Sequence, residues 1–305
     1  MRIRAIITAT VVLALAAAPA FGQSLDIPVK GFGLSFGNSK NFTGVRFNFR
    51  DKDVEKVTGV NVTFWSPREK EPTSVITGLS FGPLVGGGTL TGVQYGLLGV
   101  AAHTSLTGLN LGGLGLGAGG NVTGVNLGGL GMGAGGNVSG INIGGLGLGA
   151  GGDVVGITLA GLGAGAGGKM AGINIAGLGL GAKRIVGLTL AGIGVGGEEI
   201  TGWTAAGIAV GAAKIRGVAY AGIVVGGKDL KGLFAAGGSV HVPLGGSLAG
   251  AASSPFNYIR GTLTGLSVGI VNYAHSVKGV QIGVVNIVRD NPAGLKVLPV
   301  FNTSF

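Results

Sequence analysis

Along the middle of the chain, apolar, polar and glycine positions recur on a fixed spacing. Glycine opens a unit at Gly92, Gly108, Gly124, Gly140, Gly156 and Gly172, 16 residues apart, and then at Gly187, Gly202, Gly217 and Gly232, 15 apart. With that glycine as position zero, +1 holds Leu109, Val125, Ile141, Ile157 and Ile173, and +3 holds Leu111, Leu127, Ile143, Leu159 and Ile175. Position +6 is leucine or isoleucine from Leu114 to Ile223, and +8 runs Leu116, Met132, Leu148, Ala164, Leu180 and on to Val225. Alternation with period two predicts two short strands per unit, one through +1 and +3, the other through +6 and +8. The step between the pairs falls on a glycine at +5, which predicts a corner, because glycine accepts the dihedrals of sharp bends. A second corner is predicted after +9, where polar or charged residues collect, among them Asn121, Asn137, Asp153, Lys169, Lys183, Glu198, Glu199 and Lys214. The residue lost between the two periods falls in that stretch too, as loops tolerate length changes that strands do not.

A coil of two short strands cannot bury an apolar face alone, whereas stacked coils share a core. The predicted fold class is therefore all-β, a parallel β-solenoid of 14–16-residue two-strand coils with capping flanks. In this reading +1, +3, +6 and +8 point inward. The glycines at +7 (Gly115, Gly131, Gly147, Gly163) and +9 leave a flat outward face, suited to self-association. The row at +2, lying between apolar neighbours, is predicted to point outward: Asn110, Asn126, Asn142, Thr158, Asn174, Thr189 and Thr204. Such a row is either a ladder satisfying its own amides and hydroxyls or a docking strip for a repetitive polar surface such as a glycan. An outer-membrane β-barrel is the alternative fold, suggested by the alternating "VFNTSF" and Phe305. Barrel strands need about 9–11 residues of unbroken alternation, and every unit here breaks it. A membrane helix over the charge-free residues 104–152 is opposed by glycine, which costs a helix about 1 kcal/mol per residue relative to alanine.

The pattern also divides the chain. Residues 1–22 carry Arg2 and Arg4, an apolar run from Ala5 to Ala18 and small residues up to Gly22, the pattern of a secretory signal peptide cut after Gly22. Residues 23–77 alternate more polar and aromatic positions and read as an N-terminal β cap; 78–238 are the glycine-rich repeats. Residues 239–264, rich in Pro, Gly and Ser, read as an irregular loop or a distorted pair of coils, and 265–305 return to the repeat and close with a cap.

Composition narrows the function. The chain has no cysteine, which excludes disulfides and thiolate metal sites. The formal charge of +10 falls to +8 without Arg2 and Arg4, and the cations are scattered rather than clustered with aromatics. Scattered cations argue against nucleic acid as a partner and for mild attraction to anionic surfaces.

At the C-terminus the units read "GLSVGIVNYAHSVK" (265–278) and "GVQIGVVNIV" (279–288), and an earlier one reads "GVQYGLLG" (92–99). Gly279, Gln281, Gly283 and Asn286, with Gly265, Gly269 and Asn272, resemble the uncharacterised bacterial surface-repeat proteins, whose units read Gly-apolar-Gln-apolar-Gly-apolar-apolar-Asn. The central units keep the period but place Asn or Thr where that pattern has Gln. The resemblance implies an exported or surface-associated protein and brings no catalytic residues with it.

Candidate chemistry is sparse. "GAGAGGKM" (163–170) has the glycines and Lys169 of a phosphate loop but Met170 in place of the magnesium-binding hydroxyl, and "GIVVGGKD" (222–229) ends in Asp229. His103, His241 and His275 fall at unrelated repeat positions, and Asp153 stands almost alone in its column, against a metal site or a calcium roll. No catalytic, cofactor-binding or metal-binding residue is predicted. The expectation is a non-enzymatic exported surface-repeat protein with a structural or adhesive role at the bacterial envelope. Its partners would be its own glycine face, the cell envelope or a glycan. A barrel with a pore or anchoring role, or a secreted module binding polysaccharide, are the alternatives.

Overall fold

Successive glycine-opened units lie side by side, paired residue for residue by parallel backbone ladders. The computed structural model describes residues 24–29, 32–68 and 73–304, so the expected signal peptide lies outside the described residues. The chain is all-β, 79% strand with no helix among the described residues, and forms a parallel β-solenoid of about 14 turns rather than a barrel. It divides into two compact units, Met1–Gly152 and Asp153–Phe305.

In the first unit the coil opened by Gly124 shows how the sequence makes a turn. Strand Asn121–Gly128 runs to a bend at Gly129 and Leu130, and strand Gly131–Ala134 follows. Asn121–Gly128 pairs with the preceding coil, Leu106↔Val122 through Gly112↔Gly128, and with the next, Val122↔Val138 through Gly128↔Gly144. The opening glycine lies inside the strand with φ at 115°. A Cβ there would overlap the carbonyl oxygen of Gly108, as one at Gly108 would overlap that of Gly92. Glycine stacked on glycine lets neighbouring coils approach at that column, where an L side chain meets both strain and backbone. The same column reaches back to Gly33↔Gly44, Gly44↔Gly59 and Gly59↔Gly78. The regular coils therefore begin well before residue 78, inside the stretch expected to be only a cap.

In the second unit the strand Gly163–Ala176 pairs with Gly179–Ala191 in register on both sides of one irregularity, between Ala166↔Ala182 and Lys169↔Arg184. That irregularity is where the 16-residue period loses its residue, at the charged corner. Later coils stack in strict register, Gly187↔Gly202↔Gly217↔Gly232. Residues 239–264 form coils rather than a loop, with Ser247–Ser253 paired in parallel to both neighbours and Gly250↔Gly265 continuing the glycine column.

Both ends depart from parallel pairing. Leu25–Val29 lies antiparallel to Phe32–Phe36, and Val297–Thr303 lies antiparallel across Val280–Ile287.

The direction of the side chains is the main correction to the sequence reading. Rows +1, +3 and +6 point outward: Val125 and Ile141, Leu127, and Leu130 and Leu146 are all exposed. Only +8 is buried as expected, at Leu116, Met132 and Leu148, and at Leu180, Val195 and Val210 in the second unit. The rest of the apolar core comes from the row two residues before each opening glycine, missed from the sequence. Leu106, Val122 and Val138 fill it in the first unit, and Met170, Ile185, Ile200, Ile215 and Leu230 in the second. Position +4, glycine in the first unit and alanine from Ala160 to Ala236 in the second, also faces in. The physical reason is volume: a coil of 15 or 16 residues encloses a narrow interior, filled by two large side chains per turn with small or polar ones between. Filling it with every large apolar residue would overpack it.

Candidate functional site

The predicted docking row is inside the solenoid. Asn110, Asn126 and Asn142 in the first unit are fully buried, and so are Thr158, Asn174 and Thr189 in the second, with Thr204 at 4% exposure. A row in that position cannot meet a glycan, so the docking reading of these seven residues is corrected. The ladder reading fits the geometry. Asn110 Nδ2 donates to Asn126 Oδ1 at 2.8 Å, and Asn126 Nδ2 donates to Asn142 Oδ1 at 2.9 Å. Identical amides one strand spacing apart are in register to bond along the stack. Where threonine interrupts the row in the second unit, the bonds stop: Thr158 Oγ1, both amide atoms of Asn174, Thr189 Oγ1 and Thr204 Oγ1 have no partner. Beyond Thr204 the row turns apolar with Ala219 and Phe234.

The residues of the repeat motif fall on the same inner side. Gln94 and Gln281 occupy the +2 row, fully buried. A second ladder joins the motif asparagines Asn272 and Asn286 to Asn257, Asn257 Nδ2 donating to Asn272 Oδ1 and Asn272 Nδ2 to Asn286 Oδ1, both at 2.8 Å. At the N-terminal end the row carries a charge. Arg46 is fully buried, with Nη1 2.7 Å from Asp51 Oδ1 and 2.9 Å from Asn61 Oδ1. Asn61 and Thr63 donate to the other oxygen of Asp51. A buried carboxylate supplied with donors on both oxygens marks a structural pair, although Arg46 Nε has no hydrogen-bond partner.

Other candidates are dispersed. His241 stacks on Tyr258, and His275 lies 3.4 Å from Asp290. The backbone N–H of Lys169 in the incomplete phosphate loop donates to Asp153 Oδ1 at 2.7 Å, in place of a phosphate. Among the described residues no three His, Asp or Glu side chains are grouped as metal ligands. A cleft of about 570 Å³ in the first unit lies between Ser66–Pro67, the segment Leu84–Gly87 and the backbone of Leu98–His103, with an apolar lining.

What the outside offers is rows. In the second unit Ile157, Ile173, Leu188 and Trp203 form the +1 row, and Leu159, Ile175, Leu190 and Tyr220 lie in the +3 row. Leu162, Leu178, Ile193, Ile208 and Ile223 form the corner. On the adjoining side the glycines of +7 and +9 leave the backbone open; a Cβ at Gly149 would touch nothing, and one at Gly181 only a carbonyl oxygen 3.9 Å away. Comparison with protein-family models, with curated proteins and with solved structures finds no match for the chain.

Proposed function

We propose that this chain is a non-enzymatic, exported repeat protein with a structural or adhesive role at the bacterial envelope, acting through its outer coil faces. One observation carries the reading: in each unit the large apolar side chains of +1, +3 and +6 are turned outward in row after row, exposed at 36–64% except for the half-buried Leu111, Ile143 and Val218. Soluble monomers rarely expose contiguous apolar patches of more than a few hundred Å², and larger ones mark sites of association. The secretory pattern of residues 1–22 and the surface-repeat motif at Gly279–Asn286 support an envelope location. The open glycine rows at +7 and +9 suit close contact with a second copy.

The test is expression in a Gram-negative host, followed by the mass of the accumulated product and protease treatment of intact cells. Cleavage after Gly22 and a protein reached by external protease are expected. An unprocessed chain confined to the cytosol would overturn the envelope reading.

A further inference from the structure

The outer apolar face of the second unit is chemically one-sided. In the coils opened by Gly156 to Gly232, rows −1, +1, +3 and +6 carry two cations, Arg216 and Lys231, and no Asp or Glu. Those two residues are neighbours on adjacent coils, Arg216↔Lys231, and both are exposed. The acidic residues of these coils, Asp153, Glu198, Glu199 and Asp229, lie at the charged corner instead. Arg216 Nη1 reaches back to Glu199 Oε1 at 2.5 Å, which leaves Lys231 the freer charge of the two. Trp203 and Tyr220, exposed at 64% and 53%, stand on the same face one coil apart.

We infer that this face of the second unit is a binding surface for an anionic lipid bilayer, with the aliphatic rows entering the acyl boundary and Arg216 and Lys231 meeting the headgroups. Aliphatic side chains on one side, Trp and Tyr among them, and flanking Lys or Arg are the composition of a surface that lies in a membrane interface. The charge favours an anionic surface, since each cation near such a membrane adds attraction. A glycan fits less well, because its hydroxyls need hydrogen-bond partners and the aliphatic rows supply almost none. A second copy placed face to face would gain no ion pair from these rows, since they carry no acid. Six coils at about 4.8 Å spacing, with seven residue steps of about 3.3 Å from row −1 to row +6, give a strip roughly 29 Å long and at most about 23 Å wide, short of the ~800 Å² per partner of a standard interface. The inference deepens the envelope reading and rests on it only for where the protein meets a membrane.

The full chain in a Trp65→Phe background keeps Trp203 as its single tryptophan. Its emission, read with vesicle flotation, reports contact at this face; flotation alone does not, since the apolar run Ala5–Ala18 also enters lipid. With phosphatidylglycerol-containing vesicles we expect a blue shift of Trp203, and a much smaller one with phosphatidylcholine alone. Ile175→Asp with Leu190→Asp, both outward, should abolish the shift without lowering the melting temperature, and Lys231→Gln should weaken binding about five-fold. Trp203 emission unchanged by anionic vesicles would overturn the inference, even for an exported protein. So would retention on polygalacturonate without lipid binding, or a dimer that the same double variant dissolves. Vesicle binding by a chain found in the cytosol would instead sink only the envelope reading.

Discussion

Replacing Asn126 with alanine takes the middle rung from a buried ladder while leaving the outer surface untouched. Asn126 accepts from Asn110 Nδ2 at 2.8 Å and donates to Asn142 Oδ1 at 2.9 Å, and all three side chains are fully buried. The alanine variant leaves the Asn110 amide without its acceptor and the Asn142 oxygen without its donor. Asn110 already has an unpartnered Oδ1, so the loss falls on a side chain with nothing in reserve. Each buried polar group left unsatisfied costs about 1–3 kcal/mol, so the two together cost about 4 kcal/mol, roughly a thousandfold in the local unfolding constant. The expected readout is hydrogen exchange at the amides of Val122–Gly128, which should accelerate by that order. Whole-chain melting should fall less, because a repeat array loses stability locally. Leu130→Ala is the control, since Leu130 is 52% exposed at its corner. Protection unchanged in Asn126→Ala, or lost equally in Leu130→Ala, would show that the inner row does not hold the stack.

Three more outcomes follow from the direction of the rows. Leu106→Asp places a charge at a fully buried site and should abolish soluble expression or cost several kcal/mol, whereas Leu130→Asp should be tolerated; equal yields would contradict the assignment of inside and outside. Gly124→Ala puts a Cβ against the Gly108 carbonyl at a φ of 115° and should lower the melting temperature by several degrees, while Gly149→Ala, with open space around it, should leave it unchanged. Gly131→Arg projects from the glycine face, where the nearest atom to a Cβ is the Gly147 oxygen at 3.4 Å. It should weaken concentration-dependent association in sedimentation velocity with little change in melting.

The architecture was legible because the glycine spacing is rigid: Gly92 to Gly232 marks each coil, and the change of period falls at the charged corner as its loop-like composition predicts. The sense of the strands was not legible. Leu127 and Asn126 alternate, and alternation gives two sides without saying which is inside. Hydrophobicity pointed to Leu127, yet the structure buries Asn126. A pair of residues cannot reveal that an amide row bonds to itself along a stack, which needs the third dimension. The signal that could have decided the matter was Leu106, Val122, Val138 and Ile185, an apolar row on the same parity as the asparagines. That row precedes the opening glycine and so falls outside the two strands that the spacing within a unit defines. Trp203 and Tyr220 lie in the +1 and +3 rows, whose apolar character predicts an inward direction although both side chains are exposed.

The antiparallel strands Leu25–Val29 and Val297–Thr303 change what the stack offers to a further strand. A column of parallel coils is a template: its last ladder offers unpaired amides and carbonyls on which a further strand, from any copy, could be laid. Here the final layer is a short strand running the opposite way, and each carries a proline, Pro28 in Leu25–Val29 and Pro299 in Val297–Thr303. Proline offers no N–H to an incoming strand, and Val300 beside it is turned to a φ of 69°. A layer of this kind is a poorer template for a further strand than a bare parallel ladder, and it disfavours the edge-to-edge pairing that builds amyloid-like fibres.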